Sequence, residues 1–270
     1  MTDRGPHIAT SFDTAGSADP QTGHRLILGM RVDNTSYAEA ARRVLAWAAR
    51  AESRYVCCAN VHVAMEAADD DTYRAAVNAA DLVTPDGMPL VWALRALGAA
   101  GATRVYGPDL MTTLLADAAA AGAPIGFFGA QESTLTRLIT HARRAHPRID
   151  IRYAYAPPFR PLTSAEDAAV VQAINASGAR ILFAGLGCPK QERWIAAHRG
   201  RVRAVMLGVG AAFDFLAGVK PKAPAVLQSA GLEWLFRLAT EPRRLWRRYL
   251  YNNPRFVALL LRQLASREPS

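Results

Sequence analysis

Short apolar runs that alternate with longer amphipathic stretches dominate this chain from Leu26 onward. The apolar runs are rich in Val, Ile and Phe and cover residues 54–59, 81–84, 124–129, 149–154, 180–184 and 203–209. Helical stretches lie between them, at 36–50, 108–121, 132–145 and 164–177. This alternation predicts an α/β fold, a Rossmann-like, doubly wound and mostly parallel sheet. A ligand is expected outside the carboxyl ends of its strands, at a topological switch.

The 270 residues suffice for one large domain, or for one domain with an appendage. Residues 1–24 hold few apolar groups and are expected to be disordered, and residues 25–219 form the predicted α/β catalytic domain. The alternation of strand-like and helix-like segments then ends, and residues 220–270 are predicted to be a helical appendage. Its expected helices cover 225–240, a basic run from 243, and 256–264 after a break at Asn252-Asn253-Pro254.

The predicted appendage carries most of the chain's positive charge. It holds ten Lys and Arg residues against three acidic ones, so it contributes +7 of the formal net charge of +9. Aromatic residues and leucines are interspersed among these charges. The combination is typical of an element that binds a membrane surface or of one that binds nucleic acid. A solvated helical hairpin packed on the body is the third interpretation. No apolar window of 18 residues suggests a membrane span, and three cysteines without a framework fit a reducing cytoplasm.

Two glycine-rich turns follow neighbouring predicted strands. Gly185 and Gly187 precede Pro189 and Lys190 at the start of a helix, an arrangement that can seat a phosphate or nucleotide. Gly208 and Gly210 end the next strand, so a ligand crevice is predicted between the two turns. Tight-turn geometry alone is the competing explanation. The run is neither a P-loop nor a GxGxxG fingerprint with a following acid.

Polar residues also stand at three other predicted element ends. Asp86, in Thr84-Pro85-Asp86-Gly87, is either part of an ordinary turn or a carboxylate placed to accept a proton. Asn60 is either a helix cap or a site residue. Arg104 either pairs with a surface acid or faces a diphosphate through two hydrogen bonds. The six histidines show no HxH or HExxH spacing, so no metal site is expected.

Seven segments of the chain, read in order, resemble the WecG/TagA/CpsF family of glycosyltransferases, known as glycosyltransferase family 26. The resemblance covers residues 26–248 and rests most specifically on two blocks, PKQE at 189–192 and GLEWLFRL at 231–238. PKQE is preceded by GLGC at 185–188, and GLEWLFRL is matched together with KAP at 222–224. The other segments are ANVH, DLVTPDG, RVYGPDL, GVGAAFD and EPRR, at 59–62, 81–87, 104–110, 208–214 and 241–244.

The resemblance implies an inverting, metal-independent transfer without a cofactor. A sugar of the N-acetylmannosamine, N-acetylmannosaminuronic acid or glucose type would pass from a UDP-sugar to a polyprenyl-diphosphate-linked sugar, in the synthesis of a cell-surface polysaccharide or teichoic-acid-type glycan. The enzyme would be cytoplasmic and peripheral on the inner face of the cell membrane, held to the anionic surface by residues 220–270. A homo-oligomer is left open.

The same resemblance implies roles for individual residues. Asp86 falls on the family's proposed general base, and the other three expected catalytic positions are Asn60, Arg104 and Gln191. Three appendage arginines would close over the substrate: Arg237, Arg244 and Arg247. Some relatives have Thr where this chain has Cys58, which puts a substrate contact by that side chain in question. The competing interpretations are a soluble nucleotide-dependent enzyme of another class, such as a dehydrogenase, and a basic nucleic-acid-binding protein; the resemblance favours the transferase without nucleic acid.

Overall fold

The computed structural model describes residues 23–266, which form eight strands and twelve helices. The disorder expected of residues 1–24 therefore falls outside the described residues except at its last two positions, and the first strand begins at His24. The strands are β1 (His24–Ile27), β2 (Met30–Asp33), β3 (Arg54–Ala59), β4 (Leu82–Pro85), β5 (Ile125–Gly129), β6 (Ile151–Tyr155), β7 (Ile181–Gly185) and β8 (Val205–Gly208). The helices are α1 (Tyr37–Ala49), α2 (Val61–Asp69), α3 (Asp71–Asn78), α4 (Met88–Ala96), α5 (Gly107–Ala121), α6 (Glu132–Ala145), α7 (Ser164–Ser177), α8 (Lys190–Ala197), α9 (Ala212–Leu216), α10 (Ala225–Ser229), α11 (Glu233–Thr240) and α12 (Pro242–Ala265).

Six strands form one parallel sheet in the order β4-β3-β8-β7-β5-β6, which confirms the predicted α/β fold class. Helices cover both faces, with α2, α3, α4, α7 and α8 on one side and α1, α5, α6 and α9 on the other. All strands of this sheet except the edge strand β6 are apolar along nearly their whole length, because both of their faces are buried. The helices α2 and α9 leave the neighbouring strands β3 and β8 on opposite faces, as at a topological switch.

An antiparallel hairpin, β1–β2, precedes the sheet and was not predicted. Its two-residue turn places both Leu28 and Gly29 at positive φ, 52° and 78°. Two-residue turns with positive φ at both positions usually contain Asn-Gly or Asp-Gly, so Leu28-Gly29 did not indicate a turn in the sequence. The predicted strand–helix alternation therefore begins with α1 and β3, after the hairpin.

The structure corrects the expected helices of the appendage in two places. The run 225–240 is not one helix, because Gly231 adopts φ +72° between α10 and α11 and lies against Trp92. The break expected at Asn252-Asn253-Pro254 does not occur, since α12 runs unbroken from Pro242 to Ala265 with Pro254 inside it. A proline interior to a helix costs a hydrogen bond, and the burial of Phe256 against the body offsets that cost.

The long helix α12 packs on α2 and reaches the hairpin. Phe256 is buried in the same core cluster as α2, and Arg255 forms an ion pair with Asp69 at the end of α2. The Gln263 side chain accepts a hydrogen bond from the Leu28 N–H at 2.9 Å and donates one to the Leu26 carbonyl at 2.6 Å. The division into a body and an appendage at residue 220 stays a prediction. Within residues 23–266 every helix is too short or too polar to cross a bilayer.

Candidate active site

A cavity of about 830 Å³ opens between the ends of β3 and β4 and the helices α11 and α12. Asn60, Asp86 and Arg104, of which Asp86 contacts the other two, are part of its polar lining. Its walls are mainly apolar and come from α4, the α10–α11 turn, α11 and α12: Met88, Trp92, Leu232, Trp234, Tyr249, Leu250, Phe256, Val257 and Leu261. The predicted carboxyl edge of the sheet thus borders a large, mostly apolar cavity.

The carboxylate of Asp86 is held by two donors from neighbouring elements. The N–H of Gly107, the first residue of α5, donates to Oδ1 at 2.6 Å, and the side-chain amide of Asn60 donates to Oδ2 at 3.2 Å. Because an α-helix N-terminus favours negative charge, α5 stabilises the ionised form. The strand register, with Ala59 opposite Pro85, brings the residues after β3 and β4 together.

Burial nevertheless makes Asp86 a better base than an ordinary aspartate. Burial raises its pKa to about 6, against the lowering effect of the Arg104 charge and the Gly107 N–H. His62 also lines the cavity, and its pKa is lowered to about 4 by burial and by the nearby Arg248 charge. Since basicity near the working pH favours proton abstraction, Asp86 is the stronger candidate base of the two.

Asn60 is a helix cap, as one interpretation expected, and it also contacts Asp86. Its side-chain oxygen accepts hydrogen bonds from the N–H groups of His62 and Val63, so it is the N-cap of α2. Its amide nitrogen faces the Asp86 carboxylate at the same time. Helix α2 therefore fixes the orientation of a donor to the candidate base.

Arg104 pairs with an acid, but with a buried one rather than a surface one. Its Nε donates to the backbone carbonyl of Asp86 at 2.6 Å, and its Nη2 contacts the Glu233 carboxylate at the start of α11. Its guanidinium also lies 4.0 Å from the centre of the Tyr106 ring. The diphosphate contact considered for Arg104 would have to compete with these partners.

The two glycine-rich turns meet around Gln191 rather than around Asp86. The buried Gln191 side chain accepts from the Gly187 N–H at 3.1 Å, donates to Glu192 at 2.8 Å, and packs against Gly208 and Gly210. Burial raises the pKa of Glu192. The four expected catalytic residues therefore lie in two clusters, with Gln191 apart from the other three. Both clusters are at the same edge of the sheet, because β8 and β3 are neighbours with Gly208 opposite Cys57.

The glycines have packing reasons of their own. A Cβ on Gly185 would approach the Phe213 ring to 2.7 Å, and one on Gly208 would approach the Gln191 amide to 3.2 Å. Gly187 has φ +80° with open space beside it, Pro189 precedes α8, and Lys190 is exposed. Contact of these residues with a ligand stays a prediction.

The two adjacent cysteines point to opposite faces of the sheet, as strand geometry predicts. Cys58 is buried on the face that carries α5, and a Cβ added to Gly107, whose N–H binds Asp86, would lie 3.4 Å from the Cys58 Sγ. It can therefore influence the candidate base through packing, while a contact with substrate stays a prediction.

The structure brings only one of the three predicted appendage arginines to the cavity. Arg237 lines it, whereas Arg244 is exposed and pairs with Glu241, and Arg247 is exposed beside the Trp246 ring. Arg248, which was not predicted, lines the cavity. Among the described residues, Arg237 and Arg248 have buried Nε atoms without a hydrogen-bond partner and make no salt bridge.

Helical spacing could have identified Arg248. Leu245, Arg248, Asn252 and Phe256 follow one another at intervals of three, four and four, and this is the face that α12 turns toward the body. The expected break at 252–254 hid that pattern, because it ended the helix before Phe256. Glu233 was also missed, although it lies within the GLEWLFRL block.

Comparison with known proteins places the chain among glycosyltransferases. The family model described as glycosyl transferase WecG/TagA/CpsF family matches residues 25–270. A relative from Bacillus spizizenii, an N-acetylglucosaminyldiphosphoundecaprenol N-acetyl-beta-D-mannosaminyltransferase, is 32% identical over 217 residues, which cover 80% of this chain and 82% of the relative.

Proposed function

The chain belongs to the WecG/TagA/CpsF family of glycosyltransferases, and from that membership we propose that it transfers a sugar from a UDP-sugar to a sugar carried on a polyprenyl diphosphate. The observation that carries this proposal is the Asp86 carboxylate, whose raised pKa and two donors suit a base, in the lining of a cavity whose walls are mainly apolar. An acceptor that combines a polar sugar with an isoprenoid chain suits a lining that combines polar groups with many apolar side chains.

The relative supports a specific first choice of substrates. Its name gives N-acetylglucosaminyldiphosphoundecaprenol as the acceptor and N-acetyl-β-D-mannosaminyl as the group transferred. We therefore propose N-acetylmannosamine as the first donor sugar to test, ahead of its uronic acid and glucose. The β configuration in that name is the product expected when an α-linked nucleotide sugar reacts with inversion.

In the proposed reaction the acceptor hydroxyl oxygen attacks the anomeric carbon of the donor, and the bond from that carbon to the UDP oxygen breaks. The hydroxyl proton passes to the Asp86 carboxylate, and the electron pair leaves with UDP. A positioned base contributes about 10²–10⁴ in rate to such a step. Asn60 and the Gly107 N–H hold the carboxylate in place for the transfer.

Charge on the substrates' diphosphates is proposed to be neutralised by Arg237 and Arg248, without a metal ion. Both guanidinium groups line the cavity, and burial together with the neighbouring Arg237 charge lowers the pKa of Arg248. Two cations without an acidic partner, close enough for one to lower the pKa of the other, form a favourable binding site for an anion. Fixed cations in a site shielded from water stabilise developing negative charge strongly.

The exposed side of the appendage is proposed to dock on the anionic inner face of the membrane. Trp246, Leu250 and Tyr251 are 46%, 64% and 65% exposed, and the exposed Arg244 and Arg247 lie beside them in the sequence. Aromatic residues suit the headgroup layer, and each basic residue near such a surface contributes about 1 kcal/mol. Docking there would bring the cavity to a lipid-borne acceptor.

The reaction is tested by incubating the full chain with UDP-N-acetylmannosamine and a short-chain polyprenyl-diphosphate N-acetylglucosamine, and measuring the mass gain of the acceptor. Asp86→Asn should lower turnover about 10²–10⁴-fold while UDP-sugar binding, measured by calorimetry, stays within about twofold. Asp150→Asn is the matched control, because Asp150 pairs with Arg152 at the edge of the sheet and does not line the cavity. Turnover retained by Asp86→Asn would contradict the assigned base.

A further inference from the structure

Glu233 connects the appendage to the loop that surrounds the candidate base. It lies in the first turn of α11, and its carboxylate is contacted by Arg104 Nη2 and accepts a hydrogen bond from the Tyr106 hydroxyl at 2.8 Å. The ion pair is mostly buried, with the Arg104 and Glu233 side chains only 15% and 13% exposed. A buried pair between residues 129 positions apart specifies one arrangement of the two segments.

Both partners of Glu233 are tied to Asp86. Arg104 donates from Nε to the Asp86 carbonyl, and Gly107, the residue after Tyr106, donates its N–H to the Asp86 carboxylate. The Arg104 guanidinium and the Tyr106 ring lie in contact, 4.0 Å from group to ring centre. A displacement of the Glu233 carboxylate would therefore be transmitted to the groups that orient Asp86.

We propose that Glu233 is a positioning residue for the transfer reaction: it holds Arg104 and Tyr106 so that the Asp86 carboxylate faces the cavity. The inference rests on the proposed function of Asp86. It assigns the appendage a part in the chemistry through a contact inside the protein, separate from any contact with a membrane. It also assigns Arg104 to holding the base, which leaves Arg237 and Arg248 to the diphosphates.

Two other roles for Glu233 make different predictions. A carboxylate that only attaches the appendage would affect unfolding, but would not separate kcat from KM in the folded enzyme. A carboxylate that competes with a substrate phosphate for Arg104 would, when neutralised, raise affinity or turnover. A positioning residue lowers kcat with little change in KM for the donor.

The experiment compares Glu233→Gln with the full-length wild type on the short-chain acceptor in the absence of vesicles, so that membrane docking is not part of the measurement. We expect kcat to fall about 10–10²-fold, since small misplacements of reacting groups have effects of that size. KM for the UDP-sugar should stay within about twofold. Glu241→Gln is the matched control, because Glu241 is an appendage carboxylate that pairs with Lys220 and Arg244 and does not line the cavity.

Two further variants test the path of the effect. Tyr106→Phe removes one hydroxyl donor to Glu233 and keeps the ring beside Arg104, so it should fold normally and lower kcat about 3–10-fold, the value of one hydrogen bond. In an Arg104→Ala background, Glu233→Gln should add less than about twofold, because residues that act through one another are not additive. Thermal unfolding of each variant verifies that the measured enzyme is folded.

The outcomes are distinguishable. If the wild type turns over and both Glu233→Gln and Tyr106→Phe match it in kcat, the inference is wrong and the proposed function stands. A rise in turnover or affinity of Glu233→Gln would assign it to competition and overturn the inference. If the wild type transfers no sugar from any UDP-sugar, the proposed function fails, and the inference fails with it.

Discussion

The raised pKa of Asp86 predicts how the rate of sugar transfer depends on pH. As a base, Asp86 is active only when ionised, so the rate should increase with pH through its pKa of about 6. About one carboxyl in eleven is then ionised at pH 5 and about ten in eleven at pH 7, a difference of about tenfold in kcat/KM. An aspartate with an ordinary pKa would be more than about 90% ionised at both pH values and would give a nearly flat profile.

The measurement is kcat/KM between pH 5 and pH 8 on the short-chain acceptor, with the ionic strength held constant. Asn60→Ala supplies the directional control: it removes a donor that lowers the Asp86 pKa, so the rise in rate should move to higher pH. A flat profile, or a rise that Asn60→Ala shifts to lower pH, would refute the reasoning.

The same pKa has a consequence for stability whose sign is opposite to that of most aspartates. Because the folded-state pKa is above the unfolded one, the folded protein holds this proton more tightly, and the resulting stability is lost as pH rises from about 4 through about 6. The shift of about two pKa units corresponds to up to about 3 kcal/mol. Asp86→Asn, which carries no charge to bury, should therefore unfold at a higher temperature than the wild type at pH 7.

The arginines of α12 separate into two groups with different predicted effects. Arg248→Ala should lower kcat/KM about 10²-fold, as the loss of a buried donor to a developing charge does. Arg247→Ala should stay within about twofold of the wild-type kcat/KM, because that charge is exposed and screened. Equal effects of the two changes would contradict the orientation of α12. Changing Arg243, Arg244 and Arg247 together to Gln should weaken cosedimentation with anionic vesicles about 10²-fold, from about 1 kcal/mol each. Unchanged cosedimentation would exclude these residues as the membrane contact, and the control is the same change at three exposed arginines of the body: Arg143, Arg144 and Arg148.

Much of the sheet was predictable because its strands are bounded by clear signals. The six predicted strands agree with β3–β8 to within about two residues at each end, and α6 and α7 begin and end where they were expected. Asp86 and Asn60 could be found as candidates because parallel strands bring their carboxyl ends to one edge. That rule requires only the order of strands and helices, which the hydrophobic pattern supplies.

Long-range contacts were not predictable from the same pattern. The contact between Arg104 and Glu233 joins positions 129 residues apart, and no local signal distinguishes it from an ion pair at the surface. The continuity of α12 through Pro254 depends on the burial of Phe256 against α2, which outweighs local propensity. The hairpin turn likewise uses Leu28 at a positive φ that tertiary structure enforces.

Gln263, near the end of α12, makes two hydrogen bonds to the β1–β2 hairpin, so the first and the last described elements are held together. Because α12 also lies on α2, and Asn60 caps α2 beside Asp86, a displacement of the hairpin or of the end of α12 can be transmitted through packed elements to the candidate base. A deletion that removes Leu26 or Gln263 is therefore expected to lower activity, although neither residue lines the cavity.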